Sequence, residues 1–100
     1  MWSYSGNPAA SDLDAVRFAI GDTDTADQLL SDEEITYLLT NSTVSAASIA
    51  ACEALAAKFA RSVDRTVGSL SLSASQKAKQ FRELAATLRR QRAVLAAPYA

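Results

Sequence analysis

The sequence predicts an all-α fold: a small four-helix domain with two short N-terminal helices, two long antiparallel helices and an extended loop between them. Three observations carry that expectation. Alanine supplies 21 of the 49 hydrophobic residues among 100, which favours helix and lets helices approach closely. Apolar residues recur at three- and four-residue spacing over about 44–64 and 74–95, the period of one helix face. Ser31 with Glu34, and Ser73 with Gln76, stand at the spacing of a capping box.

The first eleven residues read as an N-terminal arm, with Gly6, Asn7 and Pro8 as breakers and Trp2 and Tyr4 as large amphipathic side chains. Trp2 is expected either to fold back on the core or to dock on a partner. A short helix is expected from Asp12 to Ile20, capped by Ser11, with Leu13, Val16 and Ile20 on one face and Gly21 as its stop. The loop Asp22–Asp27 then leads to a second helix, introduced by the Ser31/Glu34 box inside a Leu30/Ile35 hydrophobic staple. That helix carries Ile35, Leu38 and Leu39 inward and ends near Asn41.

The third helix is expected from about Val44 to Asp64, with Ile49, Cys52, Ala56, Phe59 and Val63 as its stripe. The stretch Arg65–Leu72 alternates Val67, Leu70 and Leu72 with small polar residues, which suits an extended loop or a short strand. A fourth helix follows from about Ala74 to Leu95, capped at Ser73, with Ala74, Ala78, Phe81, Leu84, Ala85, Leu88 and Leu95 inward. At 100° per residue Lys79, Arg82, Arg89 and Arg90 share the opposite face, whereas Arg92 falls on the stripe. A buried unpaired cation is costly, so the last turns are expected to project beyond the core and meet another surface. The chain thus divides into an arm (1–11), a helical domain (12–93) and a docking tail (94–100).

The net charge of −1 conceals a segregation: residues 1–34 hold eight acids and one base, Arg17, while residues 35–100 hold nine bases and three acids. The pI near 5.2 argues against a general nucleic-acid binder, although a basic face remains. That face of the fourth helix admits three readings: a solvated surface, a nucleic-acid contact, or a contact for an acidic neighbour.

Little points to catalysis or metal. With no His and one Cys, the commonest general base and any Cys-based cluster or intrachain disulfide are missing. Asp22, Asp24 and Glu33 match the first, third and twelfth positions of a calcium loop, but Ala26 and Asp27 stand at the fifth and sixth, where a ligand and a Gly are needed. The simpler reading is a turn whose Asp side chains cap backbone amides. Cys52, on an apolar stripe, reads as an inert core thiol. Neither a charged, apolar leader nor a run of about 18 apolar residues stands out, so a soluble chain without enzymatic activity, cofactor or metal is expected.

Arg17-Phe-Ala-Ile-Gly-Asp-Thr-Asp24 followed by Leu29-Leu-Ser-Asp-Glu-Glu-Ile35 resembles the N-terminal signature of tailed-phage head–tail connector proteins, the adaptors beneath the portal. The likeness continues through Ala57-Lys-Phe-Ala-Arg-Ser-Val-Asp64, Val67-Gly-Ser-Leu-Ser-Leu-Ser73, Phe81-Arg-Glu-Leu-Ala85 and Leu88-Arg-Arg90. It implies a helical subunit of a dodecameric ring at the virion neck, made in the bacterial host cytoplasm, which extends the DNA channel and docks a stopper or tail-completion protein. Related adaptors occur in gene-transfer particles. The resemblance places portal contacts on Arg89, Arg90, Arg92, Val94, Leu95 and Tyr99, and lumen or stopper contacts on Arg65, Thr66, Val67, Gly68, Ser69 and Leu70. Genomic duplex DNA would pass through without sequence-specific binding. The charge division adds a subunit interface in which Asp22, Asp24, Asp27 and Glu33 meet Lys79 and Arg82 of the next copy. The alternative is a small helical nucleic-acid-binding module using the basic face of the last helix.

Overall fold

The computed structural model describes residues 1–63 and 69–96, with side chains described for 1–63 and 72–93. Four helices follow in order: α1 (Asp12–Ile20), α2 (Asp32–Leu39), α3 (Val44–Val63) and α4 (Ser69–Ala96). The described residues contain no strand, so the all-α expectation holds. Contacts divide the chain into two compact units, Met1–Ala51 and Cys52–Ala100.

In the first unit, the ends of α1 follow from single residues. Ser11 takes extended backbone angles and its side chain accepts the Asp14 N–H, while Gly21 at φ 77° returns its own N–H to the carbonyls of Arg17 and Phe18. Only a residue without Cβ adopts that left-handed angle without strain. The second helix begins with the expected box: Ser31 Oγ accepts the Glu34 N–H at 3.1 Å and Glu34 Oε1 accepts the Ser31 N–H at 2.8 Å. Leu30 and Ile35, the two ends of the expected staple, are both buried. After Leu39 the chain turns through Asn41 at φ 61°, a conformation Asn tolerates better than most residues. Val16, Ile20, Leu30, Ile35, Ala47, Ile49 and Ala51 supply the apolar interior of this unit.

In the second unit, Cys52, Leu55, Ala56, Ala74, Ala78 and Ala85 are buried. Phe59 of α3 stacks on Phe81 of α4, with centroids 5.8 Å apart and planes 5° from parallel. Glu53 pairs with Arg89, so the partners run in opposite order along the two helices, as antiparallel packing requires. Every described member of the expected α4 stripe is buried or half-buried, and Lys79, Arg82, Arg89 and Arg90 are exposed.

Two expectations fail at the start of α4. Residues 69–72 are helical rather than extended, and Ser73, expected as the cap, lies inside the helix. The alternation of Val67, Leu70 and Leu72 covers too few positions to define a strand. Leu70, Ala74 and Ala78 stand four apart, and that helical spacing prevails. Leu72 consequently sits exposed on the helix surface.

Replacing Ser31 with Ala should therefore cost about 1 kcal/mol in urea unfolding followed by circular dichroism. Ser73→Ala, inside a helix and exposed, should stay within about 0.5 kcal/mol of the parent. Equal losses at both positions would restore the cap to Ser73.

Candidate functional site

The densest polar arrangement gathers around Arg17, the lone base of the N-terminal third. Its guanidinium is fully buried and donates to four acceptors: Asp22 Oδ2 at 2.5 Å, the Leu30 carbonyl at 2.8 Å, Asp32 Oδ1 at 2.7 Å and the Ser3 carbonyl at 2.6 Å. The Trp2 ring covers it, with Cζ 4.8 Å from the ring centroid, a cation–π contact strengthened by exclusion of water. Asp22 is equally buried, and its second oxygen accepts Trp2 Nε1–H and the Leu29 N–H, both at 3.0 Å, while Oδ2 also takes the Leu30 N–H at 3.0 Å. Four donors saturate this carboxylate. Burying both charges is tolerable because each finds its partner and a full set of hydrogen bonds.

The arm completes this cluster. Ser3 donates its N–H to Asp32 Oδ1 at 2.9 Å and its hydroxyl to Oδ2 at 2.8 Å, and Ser5 repeats the pattern on Asp14 at 3.2 and 2.9 Å. The Asp32 N–H donates to the Met1 carbonyl at 2.6 Å, and Glu33 holds the Met1 amino group at 3.0 Å. Residues 1–5 thus form a strap across α1 and the start of α2. Desolvation raises the Asp32 carboxyl, but hydrogen bonds from Arg17 and Ser3 outweigh it and hold the group below the usual carboxylate range. Asp14 follows the same balance: desolvation raises it, and the Ser5 and Ser11 hydrogen bonds bring it lower.

This geometry corrects one expected interface residue. Asp22, an expected interface residue, has a side chain with no exposure, turned to Arg17. The same fact removes the first position of the partial calcium loop, since no lone pair of Asp22 is left for a cation. Asp24 Oδ1 instead accepts the Ala26 N–H at 2.9 Å, which is the turn-capping role. Asp24 and Asp27 are exposed.

On α4 the four residues of the expected basic face, Lys79, Arg82, Arg89 and Arg90, are exposed, and so is Arg92. Arg92 therefore does not bury its charge, although the wheel places it on the stripe. Arg89 and Arg82, with Glu53 and the small residues Ala56, Ala57 and Ala85, line an open cavity of about 420 Å³. Glu53 neutralises Arg89 there. Arg90 donates to Thr87 Oγ1 at 3.1 Å. Arg65, Thr66, Val67, Gly68 and Tyr99 lie outside the described residues, as do the side chains of Ser69, Leu70, Val94 and Leu95.

Cys52 is buried and its thiol is pushed up to about 11, first by desolvation and then by Glu53. It stays protonated at neutral pH and behaves as core packing. Among the described residues no helix is long and apolar enough to cross a membrane. No family model, curated protein or solved structure matches the chain.

Removing one member of the buried pair should be severe. Arg17→Leu leaves Asp22 without its counter-charge and should cost about 3–5 kcal/mol in urea unfolding; adding Asp22→Asn should recover part of that loss. Purely additive losses would mean the two groups are not coupled.

The strap should respond to acid. Because the folded Asp14 and Asp32 sit below their unfolded values, their contribution is present above an unfolded pKa of about 3.9 and is lost as pH falls through the folded value. Trp2, the chain's single tryptophan, should keep its emission between about pH 7 and 5 and shift to the red below about pH 4. A shift centred near neutral pH would contradict the assignment.

Proposed function

We propose that the chain is a head–tail connector adaptor: a non-catalytic subunit of a ring beneath a phage or gene-transfer-particle portal, extending the DNA channel and docking a stopper or tail-completion protein. The observation that carries this reading is motif order, from Arg17–Asp24 and Leu29–Ile35 through the Ala-rich α3 to Phe81–Ala85 and Leu88–Arg90. The exposed Arg82, Arg90 and Arg92 of α4 support it, because cations with no ion pair among the described residues suit a protein partner of opposite charge.

In this reading Arg89, Arg90, Arg92 and the tail Val94, Leu95 and Tyr99 meet the portal, and residues 65–70 meet the lumen or the stopper. Between subunits, the exposed Asp24, Asp27 and Glu33 of one copy face Lys79 and Arg82 of the next. Asp22 takes no part. The protein would lie at the virion neck after synthesis in the bacterial cytoplasm.

Deleting Val94–Ala100 should abolish co-purification with portal while leaving helical circular dichroism unchanged; undiminished co-purification would overturn the tail assignment. Ring size by light scattering should fall across a rising salt series, because exposed pairs are screened over about 8–10 Å at physiological ionic strength. Tight binding of free duplex DNA, falling steeply with salt, would favour the nucleic-acid module instead. An image of the particle with density for this chain between portal and tail is the direct test.

A further inference from the structure

The strap has the properties of an exchangeable element. Its anchors on the body of the unit lie on residues 14–33: Asp14 for Ser5, Arg17 and Asp32 for Ser3, Asp22 for Trp2, and Glu33 and the Asp32 N–H for Met1. Between strap and anchors stands a separate hinge, residues 6–10. Gly6 there sits at φ 86°, and the hinge's hydrogen bonds are local: Ala10 N–H to the Asn7 carbonyl and Ala9 N–H to Asn7 Oδ1, both at 3.0 Å, and the Ser5 hydroxyl with the Asn7 carbonyl and N–H at 3.3 and 3.2 Å. Five residues pulled straight reach about 17 Å, enough to carry the strap off its own groove.

The manner of attachment points the same way. Met1, Ser3 and Ser5 are exposed, and a cavity of about 270 Å³ lies among Met1, Trp2 and residues 28–31. The strap is therefore held largely by polar bonds that water can replace one at a time, with Trp2 and Tyr4 as its large half-buried side chains. A vacant groove, however, would uncover Arg17 and Asp22, so it favours refilling by a segment of matching donors. The segment with that pattern in view is residues 1–5 itself.

We propose that residues 1–5 exchange between copies of this chain: the strap of one molecule occupies the groove of another and caps its Arg17–Asp22 pair. Every hydrogen bond between strap and groove is remade in the exchanged form, which is why swapping of an identical element is a low-cost route to association. The inference concerns the chain alone and stands apart from portal docking.

The test uses two preparations. A chain lacking residues 1–5 should bind the synthetic peptide Met-Trp-Ser-Tyr-Ser-Gly saturably, read by a blue shift of the peptide's tryptophan. The same peptide carrying Ser3→Pro, which loses both the N–H and the hydroxyl that meet Asp32, should bind at least about tenfold more weakly, as expected for lost hydrogen bonds to a charged group. Should the truncated chain be unfolded, the peptide should restore its helical circular dichroism. Absence of saturable binding, or of that recovery, overturns the proposal. In the full chain, deleting Asn7–Ala9 shortens the hinge so that the strap cannot return to its own groove, and native mass spectrometry should then show dimers. Mixing isotope-labelled and unlabelled molecules should give dimers of intermediate mass, and removing residues 1–5 as well should dissolve them. Persistence as monomers at all concentrations, or dimers that survive loss of the strap, would overturn it.

Discussion

Burial of the Arg17 guanidinium is the constraint around which the N-terminal half is arranged. A cation withdrawn from water costs several kcal/mol unless charge and hydrogen bonds are returned to it. Here they come from Asp22 and Asp32 and from the carbonyls of Ser3 and Leu30. These acceptors belong to three separate segments: the arm, the turn after α1 and the entry to α2. One side chain thereby fixes the path of a connection with little regular structure of its own. The turn between α1 and α2 needs no apolar filling, because Asp22 takes the Leu29 and Leu30 amides and orients the chain for the capping box at Ser31.

The arm's order is a consequence of the same charge. Trp2 is amphipathic, with a ring that covers the cation and an indole N–H that satisfies the remaining lone pair of Asp22. Without a buried Arg17 the ring would have no electrostatic reason to settle there. The serines then read as spacers with donors: Ser3 and Ser5 each present an N–H and a hydroxyl to one carboxylate, a bidentate match that costs little side-chain entropy because Ser has one rotor.

The helices were legible because their signals are local: Ser11, Gly21, the Ser31–Glu34 box and the α3 and α4 stripes act within one or two turns. Of the two outcomes the sequence leaves open for Trp2, folding back on its own chain is the one observed. The charge cluster was not legible, since Arg17, Asp22 and Asp32 are joined only by the fold. One clue did stand in the sequence: a solitary Arg among eight acids. The start of α4 is hard to see in the sequence for a related reason. Ser73 and Gln76 have the chemistry of a cap, but a cap forms only where the preceding residues leave the helix, and Ser69–Leu72 do not.

The segregation of charge takes on a narrower meaning once burial is known. Of the eight acids in residues 1–34, Asp14 and Asp22 are buried and Asp32 is half-buried, each engaged with Arg17 or with serine donors. Glu34 closes its own helix cap, and Glu33 holds the Met1 amino group. The outward acidic field thus rests mainly on Asp12, Asp24 and Asp27, far less than the sequence total suggests. On α4 the balance is opposite: Arg89 has Glu53, whereas Lys79, Arg82, Arg90 and Arg92 keep exposed charge. Glu83, exposed on the same helix, joins Asp12, Asp24 and Asp27, so among the described residues the outward acids match those four cations in number. What burial leaves of the segregation is a small acidic set on residues 12–27 and a mainly basic α4, both exposed and therefore both open to screening by salt.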